Sequence, residues 1–133
     1  MRGGMSTPSN KLVLYHGTDV DSALRFMNGE PLDAAKAAAA KIDGPPGFFL
    51  ATEYDDAEYF ALRRVRGAVL RYEMSGIALG QLRMAGAAQG PIPPGWLFTP
   101  VGDQLVVLVK AFDVFNDLRS AGEIVVTATR GGP

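Results

Sequence analysis

"GDQLVVLVKAFDVFNDLRSAG", residues 102–122, can be read with two different periods, and the choice sets the balance of helix and strand. Leu105, Leu108, Val109, Phe112, Phe115 and Leu118 recur at helical spacing, which predicts one amphipathic helix along the stretch. The run "LVVLV" at 105–109, taken alone, suits a buried strand. We read the whole stretch as helix.

Downstream of Gly122, "EIVVTAT" is short and β-branched, a closing strand that begins at Glu123. Upstream, "GIALGQLRMAGAAQGPIPPGWLFTP" at 76–100 is interrupted by glycine and proline and reads mostly as loop with one helical turn. A loop of that length is commonly functional. Trp96 within it either recognises a target or anchors the loop to the core, and we favour the anchor. "AVLRYEMS" at 68–75 alternates as a strand does.

The first half of the chain alternates the two element types. "KLVLYH" at 11–16 is a strand ending at Gly17, and a helix capped by Thr18 or Asp19 follows and stops at Gly29. "PLDAAKAAAAKIDG" at 31–44 has a proline start and an alanine run, hence a second helix. "GFFLAT" at 47–52 is a strand feeding directly into "EYDDAEYFALRRVRG", where Tyr54, Ala57, Phe60, Ala61 and Arg64 share a helical face. The predicted class is α+β, with small sheets making a cleft.

A chain of 133 residues is long enough for one domain with a real core. We expect residues 1–10 to be a flexible lead-in, with an alternative start at Met5, and residues 11–130 to form the domain. No apolar run reaches the roughly 20 residues of a membrane span. The net charge of −1 provides no global field to gather nucleic acid. Cysteine is absent and histidine occurs once, which removes thiol nucleophiles and leaves no zinc site. The chemistry must come from carboxylates, hydroxyls, aromatic rings and one imidazole.

Three features stand at strand edges: His16 after "LVLY", the aromatic set Phe48, Phe49, Tyr54 and Tyr59, and Glu123. Each alone is ordinary, since a lone histidine is often a satisfied strand-end residue and a single glutamate is usually exposed. Arg63, Arg64 and Arg66 form a basic run that suits either a phosphate or the solvated C-terminal end of a helix.

Together and in order, "YHGT" at 15–18, "GFFLATEYDDAEYFA" at 47–61 and "GEIVV" at 122–126 resemble the ADP-ribosyltransferase superfamily. The closer likeness is to its histidine, tyrosine, glutamate class, which includes diphtheria toxin and the poly(ADP-ribose) polymerases. The resemblance implies a small split β-sandwich with flanking helices around an NAD cleft. It implies NAD as co-substrate, no metal, and transfer of ADP-ribose to a protein or nucleic-acid acceptor, with NAD glycohydrolase as a side activity. A small bacterial toxin or toxin domain is the expected setting, cytoplasmic or delivered by a secretion system, with an antitoxin or immunity protein as partner. A rifamycin-modifying transferase is a specific variant.

The resemblance also assigns roles. His16 would bond the ribose of the adenosine half, and the Gly17 backbone the nicotinamide amide, with Thr18 completing the motif. Tyr59 would stack on nicotinamide with Phe49 on its other face, and Tyr54 would replace the hydroxyl that Phe49 lacks. Glu123 would stabilise the oxocarbenium-like state in which the nicotinamide bond breaks, so Glu123, His16 and Tyr59 are the expected catalytic set. Apart from the resemblance, Arg64 in the basic run is the candidate for the pyrophosphate, or for a nucleic-acid target, because arginine matches phosphate geometry. Two departures stand out: phenylalanine at 49 where the family has tyrosine, and Ala121 where the arginine-directed toxins carry a second acidic or amide residue. The alternatives are a catalytically weak or inactive NAD- or ADP-ribose-binding module on the same fold, and a globular domain with no NAD site.

Overall fold

The computed structural model describes residues 11–39, 46–95 and 98–129. The expected lead-in at 1–10, residues 40–44 of the expected second helix, and Trp96 lie outside the described residues. The elements run β1 (Lys11–Asp19), α1 (Val20–Met27), α2 (Ala34–Ala39), β2 (Gly47–Ala51), α3 (Tyr54–Ala61), β3 (Gly67–Ser75), α4 (Gly76–Ala85), β4 (Ala87–Pro91), β5 (Asp103–Leu108), α5 (Phe112–Ser120) and β6 (Ile124–Ala128). The fold is α+β: six antiparallel strands in the order β4-β5-β2-β1-β3-β6, flanked by helices.

Two expectations are corrected. Residues 103–108 are a strand and not the start of a helix: Leu105 and Val107 alternate into the core, and β5 pairs with β2 on one side and β4 on the other. Strand period governs up to Leu108, a short 3-10 turn at Val109–Ala111 breaks it, and helix period governs from Phe112. Residues 76–91 are not loop. The Ser75 hydroxyl accepts the Ala78 N–H at 3.0 Å and starts α4, Ala78 and Leu82 share its buried face, and Gly86 ends it at φ 134°. The glycines in α4 cost helix propensity, and burial of that face outweighs them.

Other boundaries move less. β1 continues through Gly17 to Asp19, whose carboxylate accepts the Ser22 N–H at 3.0 Å and caps α1. α3 ends at Ala61, so the basic run lies in the turns that follow it.

The sheet buries both faces. Leu14, Phe48, Leu50, Leu70, Tyr72 and Met74 face α1, α4 and α5, and make the larger core with Phe112, Phe115 and Ile124. On the opposite face Ala51, Ala57, Ala61 and Val69 pack α3 against the sheet. That second contact is very close. A Cβ on Gly17 would collide with the Ala57 carbonyl oxygen, and one on Gly67 with that of Ala61. Glycine at these two sheet positions lets the helix backbone seat directly on the strands.

The junction of β1 with β2 is unlike the rest. β1 pairs with β3 over nine positions, from Lys11↔Ser75 to Asp19↔Gly67, but with β2 through Tyr15↔Ala51 alone. The sheet is continuous, and it is nearly divided at the strand end that carries His16.

Candidate functional site

His16 projects from β1 just past the last β1–β2 backbone pair, and its side chain bridges the gap. Nδ1 lies 2.8 Å from the Phe49 carbonyl oxygen. A carbonyl can only accept, so Nδ1 carries the proton and Nε2 is left as an acceptor. The ring stacks on Phe48 with centroids 4.1 Å apart and meets the edge of Phe26 at 5.8 Å. Burial among these rings pulls the pKa down from 6.5 to about 4; the Phe49 bond and Asp19 oppose the shift, and the Arg64 charge adds to it. At neutral pH His16 is an uncharged imidazole in a fixed tautomer.

This imidazole lines an open cleft of about 320 Å³ between β1, α1, α2 and β2. Such a volume lies at the lower end of the roughly 300–1,000 Å³ of small-molecule sites. Thr18, Ser22, Arg25, Lys36, Phe48 and Arg64 contribute to its walls. Its carboxylates are already engaged. Asp19 caps α1, Asp33 accepts the N–H groups of Ala35 and Lys36 at 2.8 and 3.2 Å, and Glu30 is paired with Arg25 at 3.5 Å and Lys36 at 3.2 Å. The Arg64 guanidinium has no ion-pair partner among the described residues.

The residues singled out in the sequence fall into three places. His16, Thr18 and Arg64 share the cleft. Phe49, Tyr54 and Tyr59 belong to the α3 side of the sheet. Tyr54 sits edge-on to Tyr15 at 5.6 Å, and its hydroxyl lies 3.4 Å from Glu58. The ring parallel to Tyr59 is Phe98, at 3.8 Å and 10°, rather than Phe49. Arg63 covers the same tyrosine at 5.1 Å and bonds its hydroxyl at 2.9 Å. The basic run is thereby divided, with Arg63 on Tyr59 and Arg64 in the cleft. Gly17 is packed beneath α3, so its lack of a side chain is used by the helix.

Glu123 lies elsewhere. It is exposed just before β6, with the Ser75 hydroxyl 3.5 Å from its carboxylate. Ser75 is level with Lys11, five residues along β1 from His16 and across β3. At about 3.4 Å per residue and 4.8 Å per strand, Glu123 and His16 are roughly 20 Å apart. The expectation that Glu123, His16 and Tyr59 line one cleft is corrected on this geometry.

Sequence reading missed the polar head of β5. Gln104 pairs with Ala51, which pairs with Tyr15, so β5 begins level with the one paired position of β1 and β2, whereas the cleft opens toward Gly47, which pairs with Leu108 at the other end of β5. Asp103 is tied beside Ala51, its N–H donating to the Thr52 hydroxyl at 3.0 Å and its carbonyl accepting the Thr52 N–H at 2.9 Å. This polar head supplies none of the cleft lining. Reading 102–122 as helix concealed it.

Among the described residues there is no group of three histidine or acidic side chains arranged to hold a metal. Among them, no helix is long and apolar enough to cross a membrane. Set against protein-family models, curated proteins and solved structures, the chain has no significant match.

Proposed function

We propose that this chain is an NAD-dependent ADP-ribosyltransferase, with the nucleotide held at the split between β1 and β2. The observation that carries this reading is the His16–Phe49 hydrogen bond at the split. It leaves a neutral imidazole with one acceptor nitrogen, which suits a ribose hydroxyl as hydrogen-bond donor. Arg64 beside it suits the pyrophosphate, because a guanidinium presents several donors to phosphate oxygens. Phe48 supplies an apolar floor under the same site.

The reaction breaks the bond between nicotinamide and ribose. The bonding electron pair leaves with nicotinamide while an acceptor atom attacks the ribose carbon, and positive charge develops on the sugar. A nearby negative or strongly polar group is required. Glu123 is too distant from His16 to serve in this cleft. The head of β5 does not line the cleft either; the lining carboxylate whose charge acts on His16 is Asp19, and we assign that electrostatic role to it. The macromolecular acceptor and a neutralising antitoxin come from the motif resemblance and complete the proposal.

A second reading, an NAD- or ADP-ribose-binding module without turnover, is favoured by one observation. The carboxylates lining the cleft are all committed to helix caps or ion pairs. Calorimetric titration with NAD, followed by measurement of free nicotinamide, separates the two. Binding with nicotinamide release that drops in Asp19→Asn supports the transferase. Binding without release supports the module, and no binding removes both.

A further inference from the structure

A second cavity, of about 160 Å³, lies on the same face of the sheet, beneath the link from α1 to α2 and against α5. Phe26 and the 30–32 segment form a wall shared with the His16 cleft. At its base is Tyr72 of β3, only 1% exposed. Its hydroxyl makes no hydrogen bond to the described residues and opens onto the cavity, since among them no side-chain oxygen cut off from solvent lacks a partner. An accessible hydroxyl on the cavity wall is a hydrogen-bonding group that a guest in the cavity can use. Burial also pushes the Tyr72 pKa upward, so the hydroxyl is a donor throughout the physiological range.

The other polar groups define what that occupant carries. Asn116 is spent on the wall, accepting the Leu32 N–H at 2.8 Å and donating to the Leu32 carbonyl at 3.2 Å. Arg119 donates to the Phe26 carbonyl at 2.7 Å through one nitrogen, which leaves further guanidinium donors. Glu30 is the carboxylate of the lining, and Arg25 and Lys36 both pair with it. The cavity thus offers donors and positive charge at one end. Phe26, Pro31, Leu32 and Phe115 supply apolar walls. A cavity of roughly 150 Å³ takes a molecule of benzene size.

We propose that this cavity binds a small monocarboxylate with a compact apolar body, its carboxylate accepting from the Tyr72 hydroxyl and the Arg119 guanidinium. The site is separate from the His16 cleft and does not depend on NAD chemistry.

Benzoate is the probe, titrated into the full chain while backbone amide NMR shifts are followed. Expected are saturable shifts confined to residues around Tyr72, Phe115 and Arg119, and weaker binding of toluene. Tyr72→Phe keeps the ring and removes the hydroxyl, and should weaken benzoate by roughly ten- to a hundredfold, the scale of one hydrogen bond to a charged group. Arg119→Gln provides an independent second variant with the same expected direction. Arg64→Ala, in the other cleft, should leave benzoate binding unchanged. Absence of saturable binding at millimolar benzoate overturns the proposal. So does equal binding by folded Tyr72→Phe and Arg119→Gln proteins, or toluene binding as tight as benzoate; the cavity would then hold water or apolar solutes without selecting a carboxylate.

Discussion

The Nδ1–H of His16 donates to the carbonyl oxygen of Phe49 where β1 and β2 cease to pair through their backbones, so one side chain spans the split in the sheet. The pKa of about 4 that follows from its burial gives a signed prediction. The folded-state value lies below the unfolded 6.5, so the unfolded chain takes up the proton first. The stability contributed by neutral His16 is complete above pH 6.5 and is lost as pH falls toward 4, with a slope of at most about 1.4 kcal/mol per pH unit. Imidazole NMR should place the midpoint well below 6.5, and His16→Gln should flatten the slope in urea melts. A midpoint at or above 6.5 would contradict the half-buried, Nδ1-protonated ring.

Gly17→Ala tests the seating of α3. The new methyl meets the Ala57 carbonyl, a backbone atom that moves only with the helix. Overpacking of this kind costs about 1–3 kcal/mol or more. Urea denaturation should show that loss, and a change below about 0.5 kcal/mol, the level of a neutral surface substitution, would mean that α3 does not pack as closely.

Asp56 is the charged side chain most deeply buried among the described residues, at 1% exposure. Its two carboxylate oxygens accept the N–H groups of Val101 and Gly102 at 2.8 and 2.9 Å, holding the chain entering β5 against α3. Asp56→Ala leaves both donors unpaired and should cost about 3 kcal/mol. Hydrogen exchange at Val101 and Gly102 should quicken in the variant. Unchanged protection there would show that the carboxylate is not what holds this segment.

Glu123→Ala should change stability by no more than about 0.5 kcal/mol, since the side chain is exposed and its contact with Ser75 is long at 3.5 Å. A larger loss in thermal or urea unfolding would reveal a structural role that the exposed position does not indicate.

Much of the fold was legible where local signals agreed. Asp19 before α1, the alternation of "AVLRYEMS" and the strand-to-helix step from Phe49 to Tyr54 all act over a few residues, and the structure follows them. The stretch from Gly76 to Leu108 was harder. Gly76, Gly80 and Gly86 suggested loop because their propensity cost is local, whereas the burial of Ala78 and Leu82 that offsets it is tertiary. Leu105 fits both periods, Leu108 and Val109 fit the helical one and Val107 the strand one, and pairing with β2 and β4 decides between them.

The site divides in the same way. His16, Thr18 and Arg64 were visible as residue types in order, and they meet in one cleft. Glu123 was a sound strand-head carboxylate, but which end of the sheet that head occupies depends on strand order and direction, information not local to the motif. Phe98 as the partner of Tyr59 carried no local signal, being nearly forty residues away along the chain.

The central claim is an NAD-cleaving site at the His16 split that works without Glu123. Its most direct test is quantified nicotinamide release from NAD by the purified chain, beside His16→Ala and Glu123→Ala. The expected result is release by the parent chain, little change in Glu123→Ala and loss in His16→Ala. Release abolished by Glu123→Ala, or undiminished by His16→Ala, would contradict it.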